Sequence, residues 1–247
     1  MTILVHSSLS SLGWVDGGAA TVIDAIRDAI GSNGTILAPT LTGRQEYGPD
    51  CPPTFDPASS RTWTGQIPIT LLAHPGARRS NHPTHSVAGI GPATELLIRR
   101  HEYCATPCAA DSPYGRLADL GGMILLLGVT HDSNTSLHMI EEVAGVPYHL
   151  QLQRVAARVK REDGQWETIV TRLHQYGWKR EFSKVEPMLI RCGAQRNGHI
   201  GKATSRLINV SEMVRSILPV VREDPLFLLT DAARRTFELS MGRSDSE

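Results

Sequence analysis

The chain has 247 residues, 40% hydrophobic and 20% charged, enough to bury a sizeable core in one large domain or two small ones. Its 25 basic and 25 acidic residues cancel, so no global charge points to nucleic acid or to a polybasic membrane contact. Cys51, Cys104, Cys108 and Cys192 form no CxxC pair and fit neither a zinc ribbon nor a disulfide scaffold; the longest uninterrupted apolar run, MILLL at 123–127, is far too short for a bilayer.

Met1 leads directly into the apolar run TILV, without the basic region and long apolar core of a secretory signal, so the expectation is a soluble, cytoplasmic protein. TILV predicts a buried strand, and GGAATVIDAIRDAI a helix with Val22, Ile23, Ile26 and Ile30 at helical spacing. Gly31 to Gly34 stop that helix, and TILAP resumes a strand. Strand, helix and strand make a βαβ unit, hence a parallel sheet with helices on its faces. The turn HSSLSSLG, 6–13, then sits at the carboxyl end of the first strand, where open α/β sheets bind ligands. Its hydroxyls and amides suit an anion, and equally an ordinary turn or helix cap.

Residues 41–63, rich in Pro, Gly, Thr and Asp, predict a long functional loop. IPITLLA reads as a short helix or strand, RRSNHPTHSVAGIG as a turn into a strand, and PATELLIRRHE as a helix. MILLLGV is a buried strand ending in the polar THDSNTS; the helix LHMIEEVAG follows, with Thr135 or Ser136 as its cap. From about 150 the pattern alternates, and Asp163-Gly164 marks a hairpin added to the parallel sheet. SEMVRSILPVV and DAARRTFELSM predict closing helices, and 241–247 a flexible polar tail. The whole predicts a single α/β domain over 1–247: a mostly parallel central sheet flanked by helices, with an additional antiparallel hairpin region in the C-terminal half.

Two segments carry chemistry. In GVTHDSNTSLHMIEE, His138 and Glu141 are three apart on one helical face. A histidine held by a carboxylate at the carboxyl end of a strand is how a general base is built, although a plain surface pair has the same spacing. In SNHPTHSVAG, His82 and His85 suit metal ligands, a catalytic histidine or a turn. With His131, Asp132 and His138 they make a mononuclear zinc site, and so a zinc-dependent hydrolase, a rival reading that no HExxH motif supports. No GxSxG elbow exists for a serine hydrolase.

VHSSLSSLGWVDGGAATVIDAI, GTILAPT, TFDPASS, RRSNHPTHSVAGIG, SPYGRL, ILLLGVTHDSNTSLHMIEE and GHIGKATSRL follow one another in this chain. In that order they resemble the aminoglycoside 3-N-acetyltransferase family, over about residues 3 to 215. The resemblance implies acetyl-coenzyme A as cosubstrate, used without metal, and a role in antibiotic resistance. It implies that Ser7, Ser8, Leu9 and Ser10 contact the coenzyme, small hydroxyls and amides being what a pyrophosphate needs at close approach. Ser86 and Val87 are implied to run beside the pantetheine arm, a backbone edge pairing with its amides.

The same resemblance implies His138 as general base, Glu141 as its neighbour on the substrate side and Asp132 as a further orienting carboxylate. A protonated amine cannot attack a thioester, so the base must take its proton. Direct transfer is the expectation, because the sequence offers no convincing activated nucleophile. The implied partner is a small aminoglycoside or another amine, with no nucleic acid and no membrane, the protein being a monomer or homodimer. Between Lys160 and Arg206, however, ten basic residues face five acidic ones, a balance that repels a polycation if the segment borders the acceptor cleft. A less cationic amine is therefore the alternative acceptor.

Overall fold

The structure, a computed structural model, describes residues 1–244. Its first half comprises β1 (Thr2–Ser7), α1 (Gly18–Ile30), β2 (Thr35–Pro39), β3 (Thr54–Phe55), α2 (Gln66–Leu72), β4 (Arg78–Arg79), β5 (Val87–Ile90), α3 (Thr94–Ile98), α4 (Pro113–Asp119) and β6 (Met123–Leu127). Its second comprises α5 (Ser136–Ala144), β7 (Val155–Lys160), β8 (Trp166–Thr171), α6 (Glu186–Arg191), β9 (Gln195–Ile200), β10 (Ala203–Asn209), α7 (Val210–Glu223) and α8 (Asp231–Ser244).

A seven-stranded sheet runs in the order β4-β5-β2-β1-β6-β10-β9. β1 pairs in parallel with β2 and with β6, as the βαβ pattern predicts, while antiparallel strands continue the sheet on both flanks. The runs Ile3–Val5, Ile36–Ala38 and Ile124–Leu127 of the central strands are continuously apolar because both of their faces are covered. Leu4, Leu37, Ile124 and Leu126 pack on one face under α3, α4, α5 and α7, with Leu97, Leu117, Leu137, Ile140 and Ile217. Ile3, Val5, Ile36, Leu125 and Leu127 pack on the other under α1 and α2, with Val22, Ile23, Ile67 and Leu71. This period of two fixes the register, since a slip of one residue would exchange the two cores.

IPITLLA is helical, as part of α2, and the helix expected over PATELLIRRHE stops at Ile98. Arg100, in the left-handed region at φ 54°, breaks it before a 3-10 turn at His101–Tyr103. The hairpin around Asp163-Gly164 forms as β7 and β8, but it does not join the central sheet. It recruits β3 from the 41–63 loop into a separate three-stranded sheet, because Phe55, Ala157, Val159 and Ile169 bury one another there. The expected tail is helical through Ser244, as the end of α8, and its remainder, 245–247, lies outside the described residues.

Candidate active site

The carboxyl ends of β1, β2 and β6 open toward one side of the sheet, where α5 delivers His138 and Glu141. After β6 the chain makes a 3-10 turn, His131–Ser133, with the Asp132 amide donating to Thr130 Oγ1 at 3.3 Å. Thr135 holds the N-cap position of α5, but its side chain makes no capping hydrogen bond. Asn134 Oδ1 accepts the Ser136 amide at 3.2 Å and so sets the direction of the helix. One turn later, His138 Nδ1 lies 2.7 Å from Glu141 Oε2.

This is not a surface pair. The Glu141 side chain is 0% exposed and that of His138 23%. Burial by itself raises the Glu141 carboxyl, but His149, the His138 bond and Arg180 together outweigh it and hold the group at about 2. Arg180 Nε donates to Glu141 Oε1 at 3.2 Å, and His149 Nδ1 lies 3.1 Å from Oε2. Burial pushes His149 itself down to about 3, so at neutral pH Arg180 is the permanent cation of the group. An ionised carboxylate on Nδ1 fixes the tautomer: the proton sits on Nδ1 and the lone pair on Nε2.

Two cavities meet in front of the pair. The inner one, about 390 Å³, is lined by His6, Ser7, Trp63, Thr64, Asp132, His138 and Phe182 among others. The outer one, about 840 Å³, is lined by Ser7, Ser8, Leu9 and Ser10 together with the start of α1 at Asp16, Gly17 and Gly18. Ser7 and Gly65 line both. Ser11 Oγ donates to Ser8 Oγ at 2.8 Å, and Ser8 Oγ lies 3.2 Å from Ser10 Oγ, so the hydroxyls form a chain along the outer wall. The Ser8 amide is committed to the Leu127 carbonyl at 2.9 Å. At the shared wall Ser7 Oγ is buried and makes no hydrogen bond. Gly65 adopts φ 102° there, a conformation that L side chains rarely take, so a glycine is needed.

Other expected site residues fall elsewhere. Glu141 is expected on the substrate side, but it is fully buried behind the imidazole and does not line the inner cavity. Asp132 lines the inner cavity, but its carboxylate accepts from Ser183 Oγ and Thr130 Oγ1 and does not orient His138. Ser86 and Val87 are fully buried in the sheet. Ser86 Oγ donates to the Thr40 carbonyl and accepts from Arg79 Nε, and β5 is flanked by β4 and β2, so neither residue offers a free edge to a pantetheine arm. Of the basic 160–206 segment only Phe182 lines the inner cavity. Lys160, Arg180 and Arg206 are spent on Asp56, Glu141 and Glu186.

The zinc set imagined from sequence does not assemble. His131 turns to Gln195 Oε1 at 2.7 Å, and His82 Nδ1 accepts the Thr84 and His85 amides of its own turn. Two other groups do place their ligand atoms within 4.8 Å of one another: His85, Cys108 and His174, and His138, His149 and His174. His149, His174 and Arg180 were not legible as site residues. Each lies more than ten positions from His138, without a spacing signal of its own.

Fold and site together define an α/β enzyme with a carboxylate-held histidine at the end of its parallel strands, open to a two-part cleft. The chain belongs to the aminoglycoside 3-N-acetyltransferase family, whose model matches residues 4–221. Aminoglycoside N(3)-acetyltransferase VIII of Streptomyces fradiae is 32% identical, with 87% of this chain and 83% of the relative covered. Aminoglycoside N(3)-acetyltransferase IV of a Salmonella species is also 32% identical, over 92% and 83%. Among solved structures, a mutant of aminoglycoside acetyltransferase AAC(3)-IVa in complex with a gentamicin superposes with a TM-score of 0.77 at 31% identity, covering 93% of this chain and 84% of that one. The binary complex of AAC-IIIb with CoASH gives 0.74 at 26% identity, 90% of each chain being covered. No helix among the described residues is long and apolar enough to cross a membrane.

Proposed function

We propose that this protein transfers the acetyl group of acetyl-coenzyme A directly to the 3-amino group of a 2-deoxystreptamine aminoglycoside, with His138 as general base. The observation that carries the reading is the meeting of two cavities at Ser7 and Gly65, one lined by the serine turn and one by His138. The coenzyme lies in the outer cavity, its phosphates against the hydroxyl chain and the amino end of α1, where dipole and amides favour an anion. The thioester reaches the shared wall. The acceptor amine enters the inner cavity, gives its proton to His138 Nε2 and attacks the acetyl carbon as Glu141 stabilises the imidazolium; the C–S bond then breaks, and the coenzyme leaves as a thiol that carries the proton away from His138. Glu141 stays ionised beside Arg180 throughout and takes no proton of its own.

Asp132 is the one carboxylate lining the inner cavity among the described residues, and it supplies the attraction that a polycation needs. Of the segment's ten basic residues none lines the inner cavity, and Lys160 and Arg180 are paired with Asp56 and Glu141 outside the segment, which favours the aminoglycoside over a less cationic amine. Thiol release from acetyl-coenzyme A is measured against a panel of aminoglycosides. Acceptor-dependent release is expected, falling by about 10²–10⁴-fold in His138→Ala with coenzyme affinity unchanged. Release that ignores the acceptor, or near-normal turnover in the variant, overturns the reading.

A further inference from the structure

We propose that His85, Cys108 and His174 bind a zinc-class transition-metal ion in a buried site behind His138, apart from the metal-free acetyl transfer that the family resemblance implies. One ligand atom from each lies within 4.8 Å of the others, and all three residues are buried. Two imidazoles and a thiolate are a donor set that selects zinc and its neighbours and leaves calcium and magnesium aside. The three residues come from the turn ahead of β5, the loop before α4 and the segment after β8, so the fold gathers them where no sequence motif does.

The remaining ring nitrogens are engaged as ligands of an ion require. His174 Nε2 lies 2.7 Å from Glu142 Oε1, and His85 Nδ1 lies 2.9 Å from Thr84 Oγ1. His174 Nδ1 and His85 Nε2 are thereby left for the ion, and a carboxylate behind a ligating histidine is the usual outer support. Binding forms two nitrogen bonds and one sulfur bond to the ion, and the thiol proton leaves to solvent.

The second group, His138, His149 and His174, is the poorer candidate. The His138 and His149 rings are stacked, with 16° between their planes and centroids 4.9 Å apart, so their in-plane lone pairs run side by side and do not converge. The Nδ1 of His138 is also held by Glu141.

Cobalt(II) titrated into the chelator-treated full-length protein tests the site, because thiolate ligation gives a near-ultraviolet charge-transfer band. One ion per chain is expected, with that band, and zinc is expected to raise the Tm. Cys108→Ser abolishes the band, while a Cys51→Ser/Cys192→Ser double variant, lacking the two exposed thiols, keeps it. Glu142→Gln weakens cobalt affinity about 10–100-fold through the lost outer bond. If Cys108→Ser fails to fold, His85→Gln replaces it, with affinity at least about tenfold weaker expected. No band in the unmodified protein, a band that survives Cys108→Ser, or an affinity that His85→Gln leaves unchanged overturns the proposal.

Discussion

Glu141 and Glu142 are neighbours on α5, both buried, and their carboxyls are driven in opposite directions. Burial raises each. At Glu141 the surrounding histidines and Arg180 reverse it, to about 2; at Glu142 the bonds from Thr106 Oγ1 and the Cys108 amide do not, and the group rises to about 8. Bonds from a hydroxyl and an amide thus fail where His149, His138 and then Arg180 together succeed. The difference teaches that burial alone does not set the charge of a carboxylate: one side of the helix is built to keep an ion, the other to tolerate an acid.

The sharpest way to break that contrast is to remove the cation. Arg180→Met leaves Glu141 buried without its guanidinium partner and is expected to cost about 3–5 kcal/mol in chemical denaturation, with Arg180→Lys recovering part of it. A methionine variant as stable as the parent would erase the distinction between the two sides. The next effect lies in acid stability. Glu141 has a folded value below its ordinary 4.5, so its contribution is present above 4.5 and lost as the pH falls toward about 2. His6 and His101, held neutral by burial at about 3, lose theirs earlier, as the pH falls from about 6.5. Each group steepens the acid limb by up to about 1.4 kcal/mol per pH unit inside its own window. Glu141→Gln should flatten the lower window alone, in melts run from pH 7 to pH 2; an unchanged lower limb would show that the Glu141 charge is not what the fold protects. The smallest effect belongs to the exposed carboxylate. Asp132→Asn should raise the KM for a polycationic acceptor severalfold, at low salt more than at high, with kcat nearly unchanged. A loss of kcat instead would move Asp132 into the proton-transfer step.

The local features of this molecule were legible in its sequence. The opening strand, helix and strand, the buried run MILLL, the hairpin turn at Asp163-Gly164 and the His138–Glu141 spacing each express a period or a turn chemistry within a few residues. What failed was placement. Nothing in the alternation of β7 says that Phe55, about 100 positions earlier, will complete its sheet. Ser86 has the small hydroxyl of a coenzyme contact, but Arg79 and Thr40 claim it, and only the pairing of β5 with β2 reveals that. His149 and Arg180 escaped notice for the same reason, since a partner brought by tertiary structure leaves no spacing to read.

The order of the central sheet has a consequence for how the molecule is made. β6 lies between β1 and β10, with Ile3 opposite Met123 and Ile124 opposite Ile208, partners roughly 120 and 84 positions apart. Closing such loops comes before any contact that rewards it, so the chain is of the slow-folding, high-contact-order kind. On a chain emerging from the ribosome, α5 is complete some 36 positions before Arg180 and about 60 before β10. Until then Glu141 has a histidine beside it but no guanidinium, and no finished sheet to bury it against. The buried, Arg180-paired form of Glu141 is therefore a late product of synthesis, and a chain released short of residue 180 lacks the guanidinium that completes it.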